Sequence, residues 1–188
     1  MRLFAAVDLD DGAREAVRDL QDKLRPRFGR EIRWNGVEQL HLTLVFLGEV
    51  PDEKGSLATR AIGARFEQPA FDASFGGLGV FPPHGAPRVL WVGVERGGDE
   101  LVALQQATAA RLAGAGFAFE AREFRPHLTL ARWRESRPSD RRRALDAAAP
   151  LAARTPTVVR VDHVTLYQSR LSSRGATYAS LAKGELTA

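Results

Sequence analysis

The tetrapeptide His-Leu-Thr-Leu occurs twice, at His41–Leu44 and at His127–Leu130. The chain has only 4 histidines, and a pair sharing its next three residues arises by accident on the order of once in a thousand such chains. Both copies lie in stretches that read as β-strand, where alternate side chains share a face. His41 and Thr43 then point one way while Leu42 and Leu44 bury the other; His127, Thr129, Leu128 and Leu130 repeat the pattern. Imidazole and hydroxyl on one face are ~7 Å apart along the strand, a gap that a tetrahedral phosphate can bridge. Two opposed histidines form an acid–base pair. The neutral one takes a proton from an attacking hydroxyl or water, and the protonated one gives a proton to the leaving oxygen. An unperturbed pKa of ~6.5 makes both states accessible. The hydroxyls of Thr43 and Thr129 can donate to non-bridging oxygens as charge builds there. Arg132, two positions past Leu130, is expected on the His127 side if the strand runs that far, where it can neutralise a phosphate. The scheme needs neither metal nor cofactor.

Rival motifs are weaker. His163-Val164-Thr165-Leu166 is a third His-x-Thr-Leu, and alternation puts Val161, His163, Thr165 and Tyr167 on one face. It ranks below the other two because its second residue differs and it has no counterpart in the other half. His84 reads as a surface loop residue. No His-x-x-x-His or clustered carboxylate spacing supports zinc. Gly76-Gly77-Leu78-Gly79 lacks the spacing and following helix of a dinucleotide site, and no serine sits in a nucleophile elbow.

The elements that must carry these groups follow from periodicity and breakers. Leu3–Leu9 reads as a strand, and Asp10 or Asp11 caps a helix over 12–28 with apolar Ala13, Val17, Leu20 and Leu24. Strands follow at 32–34 and 40–47, then a helix from Pro51 to Phe66. A strand over 71–75 leads into a Gly- and Pro-rich loop over 76–87. The apolar run 89–94 reads as a central strand, followed by a helix over 100–113 that Gly114 and Gly116 end. Strands are expected at 117–120 and 127–131, a helix at 139–149, one long strand at 158–167 and a short returning segment after Gly175. Strand, helix, strand, helix, strand thus runs once before Val94 and roughly again after it, with one motif in each half.

With 188 residues, 44% of them hydrophobic, the chain suffices for one domain with a real core. Cysteine is absent, which excludes disulfides, thiolate metal sites and a cysteine nucleophile. Net charge is +4; 24 of the 27 basic residues are arginine, and eight of these lie between Arg122 and Arg143. Such a stretch beside a candidate site favours an anionic ligand such as RNA, although Arg141-Arg142-Arg143 also fits a solvated helix face. The N-terminus turns acidic at Asp8 before a secretory apolar region can form, and no apolar run approaches ~20 residues. The expectation is a soluble, cytoplasmic protein with no membrane association and no obligatory protein partner.

On these motifs the chain resembles the 2H phosphoesterase superfamily, named for two His-x-Thr-x motifs, and within it the RNA 2′,3′-cyclic phosphodiesterases historically called 2′-5′ RNA ligases. The likeness runs through Phe4-Ala5-Ala6-Val7, then His41-Leu42-Thr43-Leu44 with Phe46-Leu47-Gly48, then Phe81-Pro82. It continues in the strand from Pro87 to Val94, in Pro126-His127-Leu128-Thr129-Leu130-Ala131-Arg132, in Leu166-Tyr167-Gln168-Ser169, and in Gly175-Ala176-Thr177-Tyr178. The resemblance implies one bilobal α+β domain over 1–188. Two antiparallel sheets related by a pseudo-two-fold would form a central groove, with helices outside. It implies hydrolysis of an RNA-end 2′,3′-cyclic phosphate to a 2′-phosphate, His41 giving the proton to the leaving 3′-oxygen and His127 activating water. Reversal would join such an end to a 5′-hydroxyl. It leaves His163 outside the two motif positions. Two alternatives stand beside this: an RNA-end binding module with little turnover, and a related enzyme acting on 2′-5′ oligonucleotides or a small cyclic nucleotide phosphate. Phe46, Phe124 and Tyr167 are unranked candidates for stacking on a base.

Overall fold

A computed structural model describes residues 1–119, 123–149, 157–172 and 175–188. Among them, nine strands form two antiparallel sheets and four helices cover them. In chain order these are β1 (Arg2–Asp8), α1 (Asp11–Leu24), β2 (Ile32–Trp34), β3 (His41–Glu49), α2 (Asp52–Gly63), β4 (Phe71–Phe81), β5 (Val89–Arg96), α3 (Gly98–Gly114), β6 (His127–Trp133), α4 (Pro138–Ala148), β7 (Thr157–Val161), β8 (His163–Ser172) and β9 (Gly175–Glu185). The first sheet has strand order β3-β1-β8-β9 and the second β2-β6-β5-β4-β7. Each therefore carries one His-Leu-Thr-Leu strand, and β3 packs against β6.

Local chemistry explains most of the boundaries. Asp10 caps α1, its carboxylate accepting from the Ala13 N–H at 2.7 Å. The helix buries Ala13, Val17, Gln21 and Leu24. Gln21 falls on the buried face by spacing, four after Val17 and three before Leu24, although its type is polar. It turns inward to donate to the carbonyls of Asn35 and Leu130, so α1 is tied to β6 in the other sheet. Helix α2 covers β8 and β9, α4 covers β4, and α3 lies between α2 and β3. Leu3, Val7, Leu42, Leu90, Leu128, Leu130, Val164 and Leu166 fill a continuous core on the faces turned away from the histidines.

Four expectations need correction. The glycine-rich stretch after Phe75 is strand, not loop: β4 runs to Phe81, with a register shift between Gly76 and Leu78 and Gly77 at φ 65°. Its glycines leave room for large neighbours, because a Cβ at Gly79 would overlap the Trp91 indole. Residues 117–119 form no strand, and Glu120, like Arg122, lies outside the described residues. The outer neighbour of β6 is β2. The long strand expected over 158–167 breaks at Asp162 into β7 and β8, which belong to different sheets, and the returning segment is the 11-residue β9. The two lobes also interleave along the chain: β4 joins the second sheet and β8 and β9 return to the first, so the division is not at Val94.

Candidate active site

The two motifs match in more than sequence. In β3 the register to β1 skips Leu44: Ala6 faces Thr43 and Ala5 faces Val45. In β6 the register to β5 skips Leu130: Trp91 faces Thr129 and Leu90 faces Ala131. Each motif thus ends in a β-bulge, which inserts one residue and shifts alternation by one. The burial of consecutive residues records the shift, Leu44 with Val45 and Leu130 with Ala131 all being buried. Arg132 reaches the expected side, but not by its spacing: two positions past Leu130, strict alternation would send it to the Leu128 side, and the bulge is what brings it to the face of His127 and Thr129. The equivalent residue of the other motif is Phe46, 61% exposed on the face of His41 and Thr43.

The second bulge is held from both sides. Leu130 offers its carbonyl to the Asn35 N–H at 2.9 Å and to Gln21 Nε2 at 3.1 Å, while Asn35 Nδ2 donates to the Thr129 carbonyl at 2.8 Å. These are the backbone groups that a disrupted ladder leaves in need of partners.

Both imidazoles are oriented alike. His41 Nδ1 lies 2.8 Å from the Gln39 carbonyl, and His127 Nδ1 lies 2.6 Å from the Arg125 carbonyl. A carbonyl only accepts, so Nδ1 carries the proton and Nε2 is the free nitrogen of each ring. Each ring has an aromatic bed. His41 stacks on Phe4 at 4.6 Å with Tyr178 edge-on at 5.2 Å. His127 meets Phe81 edge-on at 5.0 Å and Trp91 at 6.2 Å. Burial disfavours the charged imidazolium and pushes His41 down to about 4, against the upward pull of the Gln39 carbonyl and Asp8. His127 is lowered for the same reason, against the Arg125 carbonyl. The positive charge of Arg132 lowers His127 and, behind that of Arg14, His41 as well. Among the described residues, neither threonine hydroxyl has a protein partner, and no group of three or more His, Asp or Glu side chains is placed to hold a metal ion.

The lobes differ beside the histidines. The cross-strand partner of His127 is Gly93, whereas that of His41 is Asp8. The Asp8 carboxylate accepts from Tyr167 Oη at 2.6 Å and Thr165 Oγ1 at 2.8 Å, faces His163 Nε2 at 3.0 Å, and has Lys183 Nζ at 3.7 Å. Burial pushes this carboxyl up, but the bonds from His163, Tyr167 and Thr165 outweigh it and hold it well below the usual carboxylate range. The third His-x-Thr motif therefore shares the first lobe's site face and encloses an acid next to His41. Sequence reading missed Asp8; its signal was parity, since Phe4, Ala6 and Asp8 alternate opposite Phe46, Thr43 and His41.

Known proteins resemble this chain in sequence and fold. The family model described as the 2′-5′ RNA ligase superfamily matches residues 9–172. An RNA 2′,3′-cyclic phosphodiesterase of Archaeoglobus fulgidus is 35% identical over 181 residues, covering 96% of this chain and 98% of that protein. One of Thermotoga maritima is 33% identical, covering 96% and 93%. Among solved structures, a Thermus thermophilus protein superposes with a TM-score of 0.79 at 29% identity, covering 98% of this chain and 97% of that one. Escherichia coli LigT complexed with 3′-AMP gives 0.75 at 29%, covering 100% and 98%. No described helix is long and apolar enough to cross a membrane. A model spanning most of the residues, together with relatives this similar over nearly their whole length, establishes the family: the chain belongs to the 2′-5′ RNA ligase superfamily.

Proposed function

We propose that the protein hydrolyses 2′,3′-cyclic phosphate ends of RNA to 2′-phosphates, using His41 and His127 as a metal-independent acid–base pair. The relatives of similar length that carry this activity in their names support the reaction class. The observation that carries the mechanism is the matched pair of bulged strands, each offering a free Nε2 and a hydroxyl on one face, with Arg132 on the face of His127 and Thr129. Thr43, Thr129 and Arg132 bind the phosphate, the hydroxyls and guanidinium meeting charge as it grows on the non-bridging oxygens.

The division of labour is the one the family resemblance implies, and one difference beside the rings suits it. Asp8 favours a proton on His41, and Gly93 offers His127 no such help. His41 is the acid that protonates the leaving 3′-oxygen; His127 is the base that draws a proton from water. Burial outweighs Asp8 at His41, and a phosphate anion beside the ring favours the imidazolium that the acid role requires. Phe46 is the base-stacking surface. Of the three aromatic candidates it alone is exposed on the site face, whereas Tyr167 is bound to Asp8 and Phe124 packs on the core. Microscopic reversal gives joining to a 5′-hydroxyl.

A short RNA ending in a 2′,3′-cyclic phosphate, incubated with excess chelator, should yield the 2′-phosphate. A 3′-phosphate product would reverse the assignment of acid and base, and loss of turnover restored by zinc would reject the metal-free scheme.

A further inference from the structure

Strand β2 contributes three residues at the edge of the second sheet, paired with β6 so that Arg33 lies directly opposite Arg132. Directly opposed residues of an antiparallel pair project from the same face, with Cβ atoms ~5 Å apart. The β6 bulge has already placed Arg132 on the face of His127 and Thr129, so Arg33 emerges there too. The neighbours agree with this direction: Ile32 is buried and Trp34 packs against Phe28 on the other side. Both arginines are exposed, and among the described residues neither has a carboxylate within ion-pair distance. Like charges placed directly opposite each other in a ladder are destabilising. Two planar guanidinium forks so arranged suit a ligand that carries successive anionic groups.

We propose that Arg33 holds a second anion site, one strand outward from the catalytic groove, which takes the phosphodiester on the 5′ side of the terminal nucleotide while Arg132 beside it faces the cyclic phosphate. The proposal rests on the reading of the groove as a site for RNA cyclic-phosphate ends and adds where the chain upstream of the terminal nucleotide is held. The terminal cyclic phosphate lies between the motif strands, the base goes toward Phe46, and the chain leaves over β6 and β2. A nucleoside 2′,3′-cyclic monophosphate has nothing to offer Arg33.

The test uses Arg33→Ala with two ligands, a trinucleotide ending in a 2′,3′-cyclic phosphate and a nucleoside 2′,3′-cyclic monophosphate, and reads equilibrium binding as well as hydrolysis. Arg33→Ala should weaken trinucleotide binding by roughly ten- to hundredfold, the range for one charge-assisted hydrogen-bonding group. It should reduce the slope of log affinity against log salt by about 0.7, one single-strand phosphate contact. Kinetics on the monophosphate should stay within about twofold of the parent. Equal trinucleotide affinity in parent and variant, or an equal loss on both ligands, overturns the second site. If the trinucleotide binds in an Arg33-dependent way but the parent protein hydrolyses neither ligand, the chain-binding site stands and the assigned reaction falls.

Discussion

His41 and His127 present the same nitrogen because each has a carbonyl two residues upstream to hold its Nδ1 proton. Neither of the residues that supply it, Gln39 and Arg125, is visible as a chemical motif, because any residue type has a backbone carbonyl. The histidines and threonines themselves were legible, since repeated rare types at strand spacing leave few other readings. The state of the rings was not, because it depends on burial by Phe4, Tyr178, Phe81 and Trp91, which come from distant parts of the chain. That burial has a kinetic consequence. With both imidazoles shifted below ~6.5, the free protein holds too little imidazolium at neutral pH, and kcat/KM should fall as pH rises through 6 to 8. The bound phosphate favours the proton, so the alkaline limb of kcat should lie at higher pH than that of kcat/KM. Replacing Asp8 with Asn removes a charge that raises His41 and should lower kcat/KM throughout the neutral range. A kcat/KM that climbs between pH 6.5 and 8 would contradict this ionisation scheme.

The bulges at Leu44 and Leu130 show what strand patterning conceals. Alternation correctly separates His41 and Thr43 from Leu42, but it fails one residue past each motif, because a bulge is set by the partner strand and by whatever satisfies its carbonyls. For β6 those groups are Asn35 and Gln21, from a different strand end and a different helix. The same limit explains β4, whose glycines read as a loop until the Trp91 side chain they accommodate is known. Asn35→Ala should leave the Thr129 carbonyl unpaired at a cost of about 1–3 kcal/mol. It should also lower kcat/KM in the manner of Arg132→Ala, although Asn35 touches neither the rings nor the guanidinium. An Asn35→Ala variant destabilised to that degree, yet with unchanged kcat/KM, would show that the bulge does not position Arg132.

Across the whole molecule, the first and last strands of the chain share a sheet, so the site face of the first lobe is assembled from residues as distant as Asp8 and His163. No sequence rule predicted that interleaving; the repeat suggested two halves where the chain crosses between lobes. The Asp8–His163 pair ties the two ends together, and its pH dependence can be derived. The depressed Asp8 carboxyl contributes stability above the unfolded value of ~3.9, lost as pH falls through its folded pKa. His163 is raised by its bond to Asp8, so its contribution is present below ~6.5 and lost as pH rises through its folded pKa. The Tm difference between the parent and His163→Ala should therefore be largest near pH 5 to 6 and shrink toward pH 8; a constant difference would mean the pair does not form in solution. The most direct test of the account, however, is a kinetic cycle of the parent, His41→Ala, His127→Ala and the double variant on an RNA ending in a 2′,3′-cyclic phosphate. Two rings acting on one phosphorus predict that each single change lowers turnover by on the order of 10²–10⁴, with the double variant little worse than the weaker single one. Full activity in either single variant, or losses that multiply as independent effects do, would contradict it.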